Sequence, residues 1–364
     1  MSAESERIKE KAVELGFELV GIAPAGEARH ASGFRRWLDQ GYAGAMTWLG
    51  RNAARRTDPR QVVPGARSVI MVGCSYYIEN PPASLWNDPM RGRMARYAWG
   101  QDYHDVLLPR LLALQQFVKA ESQPKGSQCR AYVDTGPLLE RTWAAEAGLG
   151  FIGKNTLLIH PAHGSYLFLG GIITDQELTY DAPATKEGAM LGKGGCGACQ
   201  RCLNICPTHA FPAAYVLDST RCISYLTIEL KTTIPVDLRG LMGNWVYGCD
   251  ACQEVCPWVR RYSEPVAERF LAFDPHRFAP DLLELMTLDN DGFRARYKGT
   301  PIQRTKRRGL LRNAAVALGN AGQREALPVL RRALTDPEPL IGEHAAWAIT
   351  QIEAGGRFID QNNL

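Results

Sequence analysis

The chain has 364 residues, enough for two or three domains with cores of their own. Its 45% hydrophobic and 22% charged residues are ordinary for a globular protein and exclude a disordered or fibrous chain. The net charge of +4 is too small to indicate a nucleic-acid partner by itself. The sequence shows no apolar run of membrane-spanning length and no export signal, so we expect a cytoplasmic protein that does not enter a membrane.

The first half of the chain alternates predicted helices and strands. The apolar spacing predicts helices over residues 3–15, 33–40 and 105–120. Apolar runs bounded by turn residues predict strands over residues 17–23, 68–76, 129–133, 157–159 and 166–174. We interpret residues 1–180 as one domain of the α/β (α+β) class, in which helices pack on a mixed sheet.

Eight cysteines and two prolines form one pattern in the middle of the chain. They are Cys196, Cys199, Cys202, Cys206-Pro207, Cys222, Cys249, Cys252 and Cys256-Pro257. Three cysteines at intervals of three, a fourth four residues later and then proline is typical of bacterial ferredoxins, which bind [4Fe–4S] clusters. We therefore predict that residues 181–262 form a ferredoxin-like domain with two such clusters.

The ligand sets follow from a rule of two-cluster ferredoxins, in which the fourth cysteine of each run ligates the other cluster. One cluster is then predicted to take Cys196, Cys199, Cys202 and Cys256, and the other to take Cys206, Cys222, Cys249 and Cys252. Zinc usually binds two separated pairs of ligands, and disulfides need an oxidising compartment, so both alternatives suit this spacing less well. Cys74 and Cys129 lie outside the pattern, and we expect buried thiols there.

The last part of the chain is predicted to be helical. Residues 263–300 are interpreted as a helical connection, and residues 301–364 as a domain with about one and a half HEAT-like repeats. Because so few helices cannot bury both of their faces alone, this domain should pack against the rest of the protein.

Five cations lie near the start of this C-terminal domain. They are Arg304, Lys306, Arg307, Arg308 and Arg312. Positive charges at the start of a helix oppose the helix dipole, so they indicate an anion nearby. A nucleic-acid backbone would suit them, and a solvated basic face is the alternative.

Asp134 is the candidate catalytic residue outside the cysteine pattern. It follows a predicted strand and precedes Thr135-Gly136-Pro137, so its side chain should project from the end of the sheet. Open sheets of this class bind ligands at such an edge. A turn or helix-capping role is the alternative.

Short motifs in one order extend the pattern over the chain. They are residues 99–104 (WGQDYH), 133–136 (VDTG), 150–155 (GFIGKN), 164–169 (GSYLFL), 221–227 (RCISYLT) and 247–252 (YGCDAC). Together with the cysteines, they resemble the epoxyqueuosine reductase family over essentially the whole chain. The resemblance implies a cobalamin-binding domain, two [4Fe–4S] clusters and a HEAT-like domain that contacts tRNA. It also implies that epoxyqueuosine at the wobble position of tRNA is reduced to queuosine and water. Two electrons would pass through the clusters to cobalamin, with Asp134 as the proton donor.

The same resemblance places further contacts. The cobalamin contacts it implies are Arg56, Ala95, Tyr97, Asp134, Lys154, Asn155, Leu158, Ser165, Leu169, Ser224 and Asp250. With tRNA as the substrate, the five C-terminal cations are expected to position its backbone. We also expect an electron donor of low potential, of flavodoxin or ferredoxin type, and a monomer, because one copy suffices for each tRNA. Two alternatives stay open: a corrinoid reductive dehalogenase, and a ferredoxin-type electron-transfer protein.

Overall fold

The computed structural model describes residues 3–79, 81–121, 126–183, 195–265 and 275–355. In these residues the strands are β1 Leu19–Pro24, β2 Ser68–Ser75, β3 Arg93–Met94, β4 Cys129–Tyr132, β5 Phe151–Ile152, β6 Leu158–Ile159, β7 Leu167–Thr174 and β8 Trp245–Tyr247. The helices are α1 Ala3–Glu14, α2 Ala31–Asp39, α3 Thr47–Arg51, α4 Ala53–Thr57, α5 Ala83–Trp86, α6 Tyr103–Glu121, α7 Glu140–Glu146, α8 Arg201–Asn204, α9 Ile223–Ile228, α10 Val236–Arg239, α11 Ala251–Glu254, α12 Pro257–Tyr262, α13 Pro275–Phe278, α14 Leu282–Leu285, α15 Asn290–Tyr297, α16 Lys306–Ala321, α17 Leu327–Ala333 and α18 Pro339–Glu353.

A four-stranded sheet with the order β1-β2-β7-β4 forms the centre of the N-terminal half. All of its neighbouring strands are antiparallel, so the prediction of a mixed sheet was wrong. The predicted strand 157–159 is not part of this sheet, because β6 pairs with β5 in a separate hairpin. Apolar periodicity identifies strands but carries no information about the direction in which two of them pair.

Helices cover both faces of the sheet. On one face, α1 and α6 contribute Ile8, Leu107 and Leu111 to a core that includes Ile70 of β2. On the other face, α7 contributes Trp143 to a second core. Every residue of β2 is buried, which explains its nearly continuous apolar sequence.

Candidate site residues lie at one edge of the sheet, by which we mean the edge formed by strand ends. β2 and β4 end at this edge and β7 begins there, since Ser75 pairs with Leu167 and Tyr132 pairs with Gly171. Asp134 follows β4 directly, as predicted. The antiparallel arrangement therefore still places it at the end of a strand.

The C-terminal helices share one core with the second half of the cysteine segment. This core joins residues of α9, β8 and α13 through α18, and it includes Trp86 and Met94 from the first half of the chain. Most of α16 is buried, with α18 packed along it. The expectation that these helices pack against the rest of the protein is confirmed, whereas the HEAT-like repeat stays a prediction. Throughout the described ranges, every helix is too short or too polar to cross a bilayer.

Candidate active site and cluster ligands

Asp134 has an unusual backbone conformation. Its φ of 57° lies in the left-handed region, which aspartate tolerates better than most non-glycine residues but which still costs energy. Its side chain keeps 54% of its surface exposed. Strained residues of this kind cluster at active sites, so the conformation supports a functional role for Asp134.

Three polar side chains approach Oδ2 of Asp134, and Asp102 extends this network from His104. The hydroxyl of Tyr103 donates to Oδ2 at 2.6 Å, and Nη1 of Arg304 lies 3.6 Å from the same oxygen. Nε2 of His104 is 3.8 Å away, and Nδ1 of His104 lies 2.7 Å from Oδ1 of Asp102. Nη2 of Arg304 also donates to the Tyr103 hydroxyl at 3.2 Å. The network fixes the carboxyl group and leaves part of it facing solvent.

Aromatic rings form a wall behind this network. Tyr103 stacks on Phe168 with ring centroids 4.6 Å apart, and Phe168 stacks on Tyr76 at 4.2 Å. Tyr97 meets the edge of Tyr103 at 6.3 Å and leans on Tyr247 at 5.8 Å. Because stacked rings restrict each other, the wall holds the Tyr103 hydroxyl in place beside Asp134.

Buried polar groups lie on the other side of Asp134. Arg56 donates through Nη1 to the carbonyl of Gly136 at 3.2 Å, while its buried Nε has no partner. Oε1 of Glu140 and Nε1 of Trp143, both on α7, are also buried without partners. Burial raises the pKa of Glu140 to about 8 and the charge of Asp134 adds to the rise, although Arg56 and Arg141 oppose it. This carboxyl group therefore keeps its proton at neutral pH.

Arg141 connects this region to the cysteines. Desolvation lowers the pKa of its guanidinium, and the charges of Glu140, Asp134, Cys222 and Cys252 oppose that shift. The side chain nevertheless keeps accessible surface. Nη1 of Arg141 donates to the carbonyl of Thr156 at 2.8 Å, and the charges of Asp134 and of two cysteines act on the same guanidinium.

The division of the eight cysteines into two sets of four stays a prediction, and the thiol charges act both within and between the sets. Burial raises the pKa of the Cys202 thiol to about 11, and the charges of Cys196, Cys256 and Cys199 add to this effect.

Cys252 belongs to the second predicted set. Burial raises the pKa of its thiol, and the charges of Cys222 and Cys206 add to the rise. The pKa of Cys249 responds in the same way to burial and to Cys252 and Cys222. Among the residues described, no three His, Cys, Asp or Glu side chains meet closely enough to hold a single metal ion.

Backbone N–H groups point at the cysteine sulfurs. The N–H of Lys154 donates to Sγ of Cys196 at 3.4 Å, and the N–H of Ala210 donates to Sγ of Cys206 at 3.3 Å. Burial raises the pKa of Cys256, while the N–H groups that begin α12 oppose the rise. Such donors stabilise a thiolate, the form that binds iron. The donor set therefore fits two [4Fe–4S] clusters.

Some of the predicted cobalamin contacts instead hold the cysteine segment. Nζ of Lys154 donates to the carbonyls of Gly197 and Cys199 at 2.7 and 2.9 Å. Asn155, which is buried, donates to the carbonyl of Cys252 at 3.4 Å.

Ser165 and Asp250 are engaged in a similar way. Ser165 donates to Gln253 at 2.9 Å, and Asp250 accepts from the backbone of Arg96 at 2.7 Å. These groups join the sheet edge to the clusters, and their described bonds are to protein atoms.

Other predicted contacts suit a large flat cofactor. A Cβ added at Gly248 would lie 2.6 Å from Ala95, 3.5 Å from Tyr97 and 3.7 Å from Ser224, so these residues meet closely. Tyr97 continues this surface to Tyr103 and Asp134. The unpartnered Nε of Arg56 can donate to an amide carbonyl, of which cobalamin has several. Leu158 is buried in β6 and Leu169 is half-buried in β7. The residues around Asp134 therefore fit cobalamin.

The five predicted tRNA cations separate into different roles. Arg312 is fully buried and donates to the carbonyls of Leu230, Thr232 and Leu226, so its assignment to tRNA was wrong.

Arg307 pairs with Asp336 and donates to the carbonyl of Leu288, which makes a structural role the better interpretation. Arg304 reaches Asp134. Lys306 is exposed and Arg308 is half-buried.

The sequence alone did not indicate the roles of four residues that the fold brings to the site. Tyr103 and His104 lie within a recognised motif, and only the contact with Arg304, two hundred residues later, reveals their role. Glu140 looks like an ordinary first residue of a helix. Lys231 lies near Lys306 and Arg308, whose charges lower its pKa further after desolvation.

The comparisons with known proteins agree with this site. Residues 56–135 match the family model described as Epoxyqueuosine reductase QueG, DUF1730. Residues 195–259, which include all eight cysteines of the pattern, match the model described as 4Fe-4S double cluster binding domain. The second match decides between zinc and clusters in favour of two [4Fe–4S] clusters.

Whole-chain relatives give the same family. The epoxyqueuosine reductase of Escherichia coli strain K12 is 40% identical over 350 residues, which cover 95% of this chain and 89% of the relative. A crystal structure of an epoxyqueuosine reductase with an epoxyqueuosine-modified tRNA-Tyr stem loop has a TM-score of 0.82 at 31% identity, covering 95% of this chain and 89% of that chain. The Bacillus subtilis enzyme, solved with its catalytic aspartate loop swung out of the active site, has a TM-score of 0.82 at 30% identity, covering 95% and 90%. This chain belongs to the epoxyqueuosine reductase family.

Proposed function

We propose that this chain reduces epoxyqueuosine in tRNA to queuosine and that Asp134 donates a proton to the departing epoxide oxygen. The observation that carries the proposal is the carboxyl group of Asp134, held by Tyr103 and Arg304 at the sheet edge that faces the cysteines. The reaction takes up two electrons and two protons and releases water. The 40% identity to a named epoxyqueuosine reductase over 95% of the chain supports this substrate.

The two clusters would deliver the electrons one at a time. We infer that the cluster held by Cys206, Cys222, Cys249 and Cys252 is adjacent to the reaction site, because the charges of two of these thiols and of Asp134 act on the same guanidinium, that of Arg141. The cluster held by Cys196, Cys199, Cys202 and Cys256 would receive electrons from outside. The exposed ring of Tyr215 lies near Cys196 and Cys202, which supports access from the surface. An external donor of flavodoxin or ferredoxin type and a monomeric, cytoplasmic enzyme complete this proposal.

Cobalamin would lie against the surface formed by Ala95, Tyr97 and Ser224, with Arg56 as a hydrogen-bond donor to it. When bound, cobalamin supplies a low-potential cobalt that passes the two electrons to the substrate. The chain's own contribution is to orient the reacting groups. The Tyr103 hydroxyl and Arg304 hold one oxygen of Asp134 from the protein side, and the acid can then act as a general acid toward the substrate.

A basic surface would bind the tRNA backbone. It consists of Lys231, Lys306 and Arg308. Desolvation lowers the pKa of Lys231, the charge of Glu229 opposes this shift, and the charges of Arg312, Arg308 and Lys306 add to it. Nζ of Lys231 also donates to the carbonyl of Arg304 at 3.3 Å, so the basic surface adjoins the network around Asp134. Cations of this kind position nucleic acid through phosphate contacts and carry no sequence preference themselves.

Nucleoside mass spectrometry of tRNA tests the proposal. In a strain that lacks this gene, epoxyqueuosine should accumulate in place of queuosine, and the wild-type gene should restore queuosine. Asp134→Asn keeps the size of the side chain and removes the acid, so it should not restore queuosine while its purified protein still binds cobalamin and iron. Normal queuosine in the deletion strain, followed by failure of the purified enzyme to reduce epoxyqueuosine, would overturn the proposal and favour a dehalogenase or an electron-transfer protein.

A further inference from the structure

The proposed reaction needs two protons on the same oxygen, and one carboxyl group holds one. Both C–O bonds of the epoxide break, a carbon–carbon π bond forms, and two O–H bonds form to give water. The reduced cofactors supply the two electrons. Asp134 therefore has to be reprotonated within each turnover. Any inference about the source of that second proton rests on the proposed function above.

Glu140 occupies the position from which such a proton could come. It is the first residue of α7, directly after the loop that carries Asp134. Its Oε1 is buried without a hydrogen-bond partner, as are Nε1 of Trp143 one helical turn later and Nε of Arg56. Buried polar atoms are nearly always paired, so unpaired ones in the same region indicate a bound water or a functional role.

The charges that face Glu140 decide its protonation. Asp134 faces it from the loop after β4, Arg56 from α4 and Arg141 from α7 itself. Burial is the largest influence and favours the neutral acid, and the negative charge of Asp134 acts in the same direction. The two arginines oppose this influence without reversing it. Glu140 is a half-buried residue with one buried carboxyl oxygen, and with its pKa raised to about 8 it keeps its proton at neutral pH.

We propose that Glu140 supplies the second proton, which a bound water carries to Asp134 and Asp134 passes to the departing oxygen. Glu140 acts through Asp134 and touches neither the substrate nor a cofactor. The net transfer is downhill, because the conjugate acid of hydroxide is water, with a pKa of about 15.7, far above that of either carboxyl group. Both carboxylates then take up protons from solvent before the next turnover.

If the role of Glu140 is purely structural, its substitution should have a different effect. A carboxylate in the first turn of a helix stabilises the helix through its charge, and a neutral acid does not. Under that alternative, glutamine would replace the neutral side chain of Glu140 without consequence for the reaction. The two roles therefore differ in the pH dependence of proton transfer.

Single-turnover kinetics of the cluster- and cobalamin-loaded enzyme separate these roles. In the wild type, the rate of queuosine formation should fall above about pH 8, where Glu140 loses its proton. Glu140→Gln should slow the reaction by about 10–100-fold at neutral pH and lose this pH dependence. Glu140→Asp keeps a proton and should recover part of the rate. Glu146→Gln, at the other end of the same helix, is the matched control and should behave as the wild type.

Infrared pH-difference spectroscopy provides a measurement that does not depend on turnover. The wild type and Glu146→Gln should show a protonated carboxyl band that disappears near pH 8, and Glu140→Gln should lack it. If the band persists in Glu140→Gln, or if that variant keeps the wild-type rate and pH profile, the proposal is overturned. If the wild type shows the band but does not reduce epoxyqueuosine, then the proposed function fails and the protonation of Glu140 stands.

Discussion

Arg312 allows a direct test of how the C-terminal helices are held, because its buried guanidinium uses all of its N–H groups. Nη1 donates to the carbonyls of Leu230 and Thr232 at 2.7 and 2.6 Å, and Nη2 donates to the carbonyl of Leu226 at 2.6 Å. Nε and Nη2 also donate to Oδ1 of Asn313 at 3.0 and 2.9 Å. The residue thus ties α16 to the end of α9 and to the loop that follows it.

Arg312→Met keeps most of the volume and removes every donor. The buried carbonyl of Leu226 and the buried Oδ1 of Asn313 then lose their partners, at about 1–3 kcal/mol each. The partly buried carbonyls of Leu230 and Thr232 lose theirs at a smaller cost. Part of this loss is offset, since burial lowers the pKa of Arg312 to about 10, which shows that its charge is held at a desolvation cost that methionine avoids. We expect a net loss of about 3–5 kcal/mol in the free energy of unfolding.

Anaerobic thermal unfolding of the cluster-loaded protein, followed by circular dichroism, measures this loss. At roughly 2–4 °C per kcal/mol for a domain of about 150–250 residues, Tm should fall by on the order of 10 °C. Arg308→Met, on the same helix but at the basic surface, is the control and should lower Tm by less than about 2 °C. An equally small change for Arg312→Met, together with weaker tRNA binding, would refute the structural role and restore the assignment to tRNA.

Three further predictions concern pH, tRNA and the clusters. Burial lowers the pKa of His344 to about 4, so an unfolded histidine, with its pKa near 6.5, binds a proton that the folded state resists. This contribution to stability is complete above about pH 6.5 and is lost as the pH falls. Between about pH 7.5 and about pH 5.5, the free energy of unfolding measured by urea titration should therefore fall by about 1.4 kcal/mol more in the wild type than in His344→Gln. Lys306→Gln should weaken tRNA binding and reduce the salt slope of log K by about one, and the exposed Arg331→Gln should change neither; equal slopes for both variants would contradict the basic surface. Lys154→Met removes the hydrogen bonds to the carbonyls of Gly197 and Cys199, so purified protein should contain less iron per chain than the wild type, and full occupancy would show that the bonds are dispensable.

The cluster segment was predictable because its chemistry is local in sequence. Intervals of three and four residues are typical of cluster ligands, and the two clusters predicted from that spacing are confirmed, whereas the division of the cysteines between them stays a prediction. Asp134 was predictable for a similar reason, since the residue after a strand projects from the edge of the sheet. Neither inference needed the direction of strand pairing, and the incorrect mixed sheet did not affect them.

Long-range contacts were not predictable from local patterns. The run Arg304–Arg312 looks like one basic face, but the fold buries Arg312 completely and pairs Arg307 with Asp336. Charge clustering in sequence shows that cations are close along the chain and cannot show which of them remain in water. The same limitation hid Glu140, whose protonation depends on its burial beside Arg56 and Asp134.

Arg304 shows why the C-terminal helices belong to the reaction site. Its guanidinium reaches the hydroxyl of Tyr103 and the carboxyl group of Asp134, whereas its carbonyl accepts from Lys231 of the basic surface. A phosphate bound at that surface would therefore lie close to Arg304, which is part of the network that orients Asp134. Because a guanidinium presents donors in a rigid fork, a shift of Arg304 toward an anion would alter its bonds to Tyr103 and Asp134 together. Under the proposed function, tRNA binding and the positioning of Asp134 would therefore both depend on Arg304.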